Sequence, residues 1–272
     1  MVDCAFCPQR TLEKSYSGER ILSLDNFKRV VDKLPQAVRV TFAGFTEPFL
    51  NRNCTDMVLY AHETGHKVSV FTTGVGMKPE DVYRLMNIPY FGYPNGGFCL
   101  HIPDAERIAK HPINKNFLAT MKVFSEVHTQ IVNFHTMCMG MTIHPDVLEY
   151  FPTSHVPPFY NRSGNLNKER FTKLELDKQW HRVIEAKVKS EPMTCGCAEK
   201  LYHNVMLPNG DVSLCCMDYG LEYILGNLYT QEYNDVVPES QSCFDLCKKC
   251  ENGVAPKFSA INELIKLSKE LE

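Results

Sequence analysis

Four short runs rich in β-branched and aromatic residues, VRVTFA (38–43), KVSVFT (67–72), GFCLHI (97–102) and IVNFHT (131–136), punctuate the first half of the chain. They recur at roughly thirty-residue intervals, the size of a βα unit, and turn-forming residues bound each one, so each is predicted as a strand. Helical patterns fill the intervals. In SLDNFKRVVDKL the apolar residues Leu24, Phe27, Val30, Val31 and Leu34 share one face, and Ser23 is placed to cap it. CTDMVLYAHETG ends in a glycine suited to a C-terminal cap, PEDVYRLM opens on a first-turn proline, and a fourth helix is expected over 115–128. Strands alternating with helices predict an α/β fold with a parallel sheet, open or rolled into a (β/α) barrel. Such barrels place their chemistry in the loops that follow the strands.

Beyond residue 150 the pattern changes. PTSHVPPFYNRSGNLNK (152–168) reads as a connecting loop, and a helix is expected around 170–189. KLYHNVMLPNGDVSLCCMDYG holds two β-like runs joined by Pro208-Asn209-Gly210, a hairpin signal, and KFSAINELIKLSKELE reads as a terminal amphipathic helix. The expected organisation is a core over 1–160, a linker over 161–190, a small domain over 191–256 and a helix over 257–272. A chain of 272 residues has room for this division. Lys and Arg number 29 against 32 Asp and Glu, for a formal charge of -3, so the basic surplus of a nucleic-acid-binding protein is missing. No apolar run approaches a membrane span and no export pattern opens the chain, so a cytoplasmic protein without membrane contact is expected.

The 12 cysteines are unevenly placed: Cys4 and Cys7 open the chain, seven lie between 195 and 250, and Cys54, Cys99 and Cys138 stand alone as small buried hydrophobes. A chain this long with no export signal does not need disulfide staples, which favours metal or redox roles. Cys197 and Cys215 sit at the two ends of the expected hairpin, and Cys247 and Cys250 form a CxxC. Four thiolates so arranged suit either tetrahedral zinc or an iron-sulfur cluster, and spacing alone does not choose between them.

The N-terminal stretch CAFCPQ resembles the end of the CxxxCxxC motif of radical S-adenosylmethionine (SAM) enzymes, with aromatic Phe6 before Cys7. TFAGFTEPFLN (41–51) resembles the Gly-Gly-Glu segment of that family, FTTG (71–74) its Thr-Asn-Gly segment, and the Cys197, Gly210, Cys215, Cys247, Cys250 series the twitch form of its SPASM domain. The resemblance covers nearly the whole chain, in the family's order. It implies a partial TIM-like barrel followed by a small auxiliary-cluster domain. It further implies a SAM-binding 4Fe-4S cluster with Cys4 and Cys7 as ligands, and one auxiliary 4Fe-4S cluster on Cys197, Cys215, Cys247 and Cys250. Phe6 is carried over as an adenine neighbour; Gly44, Phe45, Thr46 and Glu47 as the segment facing the methionine end of SAM; Thr72 and Thr73 as the segment after the next strand.

Thr46 stands where the family has a small glycine, which narrows the backbone approach. Plainer readings stand beside these. Glu47 can cap the next helix, Thr72 and Thr73 can be a turn, and His101 can satisfy a backbone group, the reading preferred for it. Asp218 and Tyr219 are expected to be buried rather than to face substrate, and Arg162 in NRSGN either meets an anionic substrate or lies on a surface turn. Cys195, Cys216 and Cys243 are surplus to one auxiliary site.

A CxxxCxxC motif ending at Cys7 has its first cysteine just before Met1, so a longer protein is expected, with this chain alone inactive or poorly soluble; a relative that lost the ligand is the alternative. The implied activity is hydrogen abstraction by a 5'-deoxyadenosyl radical from a peptide or small molecule, served by a reductant such as flavodoxin or ferredoxin. A non-catalytic cluster scaffold and a zinc-binding module remain the competing readings.

Overall fold

The structure, a computed structural model, describes residues 4–91, 97–185, 203–236 and 244–251. Strands β1 (Val40–Phe42), β2 (Val68–Thr72), β3 (Phe98–Ile102) and β4 (Phe134–Cys138) form one sheet in the order β1-β2-β3-β4, every pair parallel. Helices α1 (Gln9–Ser15) and α2 (Leu24–Val31) precede β1; α3 (Cys54–Glu63), α4 (Pro79–Leu85) and α5 (Lys115–Val127) are the crossovers, and α6 (Pro145–Leu148) follows β4. This is the parallel sheet that the strand-helix alternation predicts, with four strands, as the partial barrel implied by the resemblance would have it.

Strand alternation explains which face meets the helices. Val68, Val70, Phe98, Leu100 and Ile102 join Phe27, Val58, Leu85, Met121 and Phe124 in one buried core. Phe98 anchors it, 5.8 Å from the Phe134 ring and 5.4 Å from that of Phe124. Each fully buried side chain of this size contributes about 1.5–3 kcal/mol. The intervening residues Ser69, Phe71, Cys99, His101, His135 and Met137 lie on the opposite face of the sheet.

The caps follow the sequence. Ser23 Oγ accepts the Asn26 amide at 3.1 Å, which stabilises α2 by about 1 kcal/mol. Gly65, at φ 89°, reverses the chain after α3, and the His66 amide closes on the Ala61 carbonyl at 3.0 Å. Pro79 opens α4.

Two elements depart from expectation. The fourth strand begins at Phe134 rather than 131, because Ile131 ends a turn of 3-10 helix and Asn133 takes a left-handed φ of 57° while its side chain binds the Tyr90 carbonyl. The helix expected over 170–189 is only α7 (Lys168–Lys173): Glu175 turns left-handed at φ 59° and the Leu176 amide folds back to the Phe171 carbonyl at 3.2 Å. A 3-10 segment (Asp177–Arg182) and β6 (Val183–Ile184) follow, and β6 pairs in parallel with β5 (Phe159–Tyr160), a short strand inside the expected loop.

The hairpin forms as read. β7 (Val205–Met206) and β8 (Asp211–Ser213) pair antiparallel about Pro208-Asn209-Gly210, and β9 (Ile224–Asn227) adds a third strand. Gly210 has φ 89°, and a Cβ there would lie 2.6 Å from the Tyr229 ring. The short helix α8 (Asp245–Lys248) carries the CxxC. Cys195, Cys197, Cys243, the last five residues of the expected linker (186–190) and the expected terminal helix lie outside the described residues. Among the described residues no helix is long and apolar enough to cross a membrane.

Candidate functional site

The chain leaves β1 through Gly44-Phe45-Thr46-Glu47 and leaves β2 through Thr73-Gly74, two loops at the same end of neighbouring parallel strands. Glu47 joins them. Its Oε1 accepts the Thr72 hydroxyl at 2.5 Å and the Phe49 amide at 3.2 Å. Its Oε2 accepts the Thr73 amide at 2.7 Å and the Thr73 hydroxyl at 2.6 Å. Burial pushes this carboxyl above its ordinary range, and the donated hydrogen bonds oppose that rise. The plain reading of Glu47 as a cap holds, while Thr72 ends β2 and the two threonine hydroxyls accept the Gly74 and Val75 amides at 2.9 and 3.3 Å as the strand gives way to the loop. With four donors engaged, the carboxylate is committed to the protein. Gly44 and Thr46 are exposed there, while Phe45 is buried with its carbonyl accepting Gln9 Nε2 at 3.2 Å.

Beside this joint runs the N-terminal cysteine loop. The Cys7 amide bonds the Cys4 carbonyl at 3.1 Å, a single turn between the two thiols, and the Ala5 amide docks on the Ile108 carbonyl at 2.9 Å. The loop after β3 that receives it is held by buried Asp104, whose carboxylate accepts the Ile108 and Ala109 amides at 2.7 and 2.8 Å. Asp104 went unremarked in the sequence, although Pro103-Asp104 is a turn signal. Phe6 stacks on Phe159 of β5 with centroids 5.6 Å apart, so one face of its ring is covered by protein. Burial pushes the Cys7 thiol up, against the lowering effect of the Tyr219 hydroxyl 3.5 Å from its Sγ and of the Arg162 and Arg170 charges.

The second cysteine group lies in the segment that carries β7 to β9 and α8. Cys215 and Cys250 share a buried cluster with Leu214, Met217 and Leu246, and Cys216 packs at its margin. Cys247 is buried too, and its carbonyl accepts the Cys250 amide at 3.2 Å. As they stand, no three His, Cys, Asp or Glu side chains among the described residues form a group that could hold a metal ion; Cys197 is outside those residues. The donors are thiols gathered in two places, a chemistry that fits soft-metal or iron-sulfur ligation better than oxygen-loving cations. Cys54, Cys99 and Cys138 are buried, as expected.

The NRSGN motif is a turn, its Asn165 amide closing on the Arg162 carbonyl at 3.1 Å, but Arg162 in it is half-buried rather than on the surface. Arg162, Ser163 and Gly164 are successive left-handed residues, with φ of 53°, 53° and 82°. The Gly164 amide turns back to Asn161 Oδ1 at 3.4 Å, and burial pushes the nearby Glu251 carboxyl above its ordinary range, against the lowering effect of the Arg162 charge and of the Arg162 and Ser163 backbone. Asn161 Nδ2 also reaches the Lys249 carbonyl at 3.4 Å, tying the motif to the CxxC segment. The Arg162 guanidinium turns inward to Met217 Sδ at 3.7 Å, near Cys7, Cys216 and Tyr219. Asp218 and Tyr219 are buried, as expected. The preferred reading of His101 fails at one nitrogen: its Nε2 is buried and meets no partner among the described residues. Burial pushes that imidazole down to about 4, with the His135 and Arg162 charges adding to the effect.

No protein-family model matches the sequence, and no curated protein sequence matches it. Solved structures do. The structure of BtrN in complex with AdoMet and 2-DOIA aligns with a TM-score of 0.55 over 91% of this chain and 86% of that one, at 17% identity. A polyhistidine-tagged anSMEcpe with bound AdoMet aligns with a TM-score of 0.51 over 99% of this chain and 92% of that one, at 14% identity. At such identities the likeness is one of fold: this chain shares with those structures an α/β fold built on a parallel sheet.

Proposed function

We propose that this protein is a radical SAM oxidoreductase or maturase with an auxiliary iron-sulfur domain. The observation that carries the reading is the Glu47 joint, which locks two strand-end loops side by side next to the Cys4–Cys7 turn. The motif order in the sequence and the two AdoMet-bound structures of like fold support it.

In this reading Cys4 and Cys7 supply thiolates to the SAM-binding cluster, and Cys215, Cys247 and Cys250 join Cys197 at the auxiliary one. SAM bound at such a centre supplies a 5'-deoxyadenosyl radical able to abstract hydrogen from an unactivated carbon. The chain's own residues hold the frame. Glu47 fixes the backbone that faces the methionine end, Gln9 orients the Phe45 carbonyl, and the Phe6-Phe159 stack anchors the cysteine loop on β5. The polar inner face of the sheet around His101 and His135 offers hydrogen bonds to a substrate, a peptide or a small molecule, held between the sheet and the small domain.

Anaerobic reconstitution of the full-length protein, with iron and sulfide counts and an assay for 5'-deoxyadenosine under a strong reductant, tests the reading. Two clusters and SAM cleavage are expected. A colourless protein holding zinc without sulfide would make it a zinc module. One cluster without SAM cleavage would make it a scaffold.

A further inference from the structure

Tyr219 belongs to the small domain, yet its hydroxyl lies 3.5 Å from Cys7 Sγ, across 212 residues of sequence. It is placed there by packing on every side. The residue is 3% exposed, and its ring meets Phe45 edge-on at 4.8 Å within a cluster that includes Leu12 and Leu207. The backbone just before it is tied down as well: the Asp218 carboxylate accepts the Glu222 and Tyr223 amides, both at 3.0 Å, and the Ser213 hydroxyl at 3.4 Å. The turn carrying Tyr219 directly follows Cys215 and Cys216 on the chain. In a thiol-phenol pair either group can donate, but a thiolate can only accept. Once Cys7 ligates metal, the Tyr219 hydroxyl is therefore the donor.

We infer that Tyr219 is a positioning residue of the radical-generating centre, its hydroxyl donating to the Cys7 thiolate and so orienting that ligand and raising the reduction potential of the cluster it holds. The inference rests on the reading above that Cys7 binds a cluster. The physical ground is general: hydrogen bonds to cluster sulfurs offset the negative charge gained on reduction, and partners of the ligands orient them. Because the donor comes from the small domain, a shift of that domain against the sheet would change how readily the cluster takes its electron.

Tyr219→Phe keeps the ring and removes the donor. In the reconstituted full-length protein, a redox titration followed through the SAM-responsive paramagnetic signal of the reduced cluster is expected to shift to more negative potential. The shift expected is up to about tenfold in the reduction equilibrium, or about 59 mV for one electron. Leu221→Ala, which thins the same apolar cluster and keeps the hydroxyl, is expected to leave the potential in place. A potential unchanged in Tyr219→Phe, or shifted equally by both substitutions, overturns the inference alone. The absence of any SAM-responsive signal in the unsubstituted protein overturns the function reading and this inference with it. Should Tyr219→Phe fail to fold or load iron, the unsubstituted protein decides. Brief exchange into deuterium oxide should give a strongly coupled deuteron in the reduced cluster's pulsed spectrum, and none overturns the inference.

Discussion

Thr73 binds Glu47 twice, its amide at 2.7 Å and its hydroxyl at 2.6 Å meeting the same carboxylate oxygen. Thr72 takes the other oxygen at 2.5 Å, so neighbouring residues of one loop grip both sides of a carboxylate from the next. Hydrogen bonds to a buried charge are among the stronger ones, about 1.5–3 kcal/mol each. The loops after β1 and β2 therefore move as one body, which is what a bound cofactor spanning both would require.

The grip can be measured by a double-mutant cycle. Thr73→Val keeps the side-chain shape and removes one donor; it should cost about 1–2 kcal/mol in urea unfolding. Glu47→Ala strands four donors and should cost about 2–4 kcal/mol. Because the two residues touch, their effects should fall short of additive by about 1 kcal/mol or more. Strict additivity would mean that the hydroxyl does not bind the carboxylate.

Gly76→Ala should loosen the same joint from behind. Gly76 sits at φ 93°, and a Cβ there would lie 2.2 Å from the Phe49 carbonyl oxygen, a backbone atom that cannot swing aside. The Phe49 amide is one of the donors to Glu47, so pushing this segment away disturbs the carboxylate as well. Strain and clash together should cost about 2 kcal/mol or more and lower Tm by several degrees. Scanning calorimetry would check it, and an unchanged Tm would show that the loops part freely.

The sheet was legible because its signal is local. Val68 and Val70 alternate with Ser69, Ser23 precedes an apolar stripe, and Pro79 opens a helix, so each element announces itself within a few residues. The misplaced elements turn on left-handed residues, Asn133 and Glu175, that no apolar pattern marks. The site was legible in parts and not as a whole. Glu47, Thr72 and Thr73 could each be picked out by motif, but their union depends on which strands lie side by side. Arg162 turned inward for a similar reason: it meets Met217 Sδ, far along the chain, and nothing within NRSGN marks that partner.

Asp218 offers a test of the β7–β9 region that does not depend on metal chemistry. Its carboxylate is fully buried and takes the Glu222 and Tyr223 amides and the Ser213 hydroxyl. Asp218→Ala would leave those donors buried without an acceptor, at a cost of about 2–4 kcal/mol. Asp218→Asn keeps one acceptor oxygen and should cost less. Urea midpoints for the two variants give the order, and equal midpoints would mean that the turn finds its acceptors elsewhere.

His111 should make the fold sensitive to acid. The ring is 3% exposed, stacks on Phe117 at 6.2 Å, and neither nitrogen meets a hydrogen-bond partner among the described residues. Burial pushes it down to about 3, with the His101 charge adding to the effect, whereas an unfolded histidine titrates near ~6.5. Between those values the unfolded chain takes up a proton that the folded one refuses. The contribution is therefore complete above the unfolded value and is lost as pH falls toward the folded one, at about 1.4 kcal/mol per pH unit. His101, pushed down to about 4, acts in the same direction. Replacing His111 with Phe keeps an aromatic partner for Phe117 and removes the titration. Urea unfolding free energies of the variant should then fall less steeply than those of the parent between pH ~6 and ~4, the gap closing by about 1.4 kcal/mol per unit. Parallel curves would mean that this imidazole is already hydrated or charged in the folded protein.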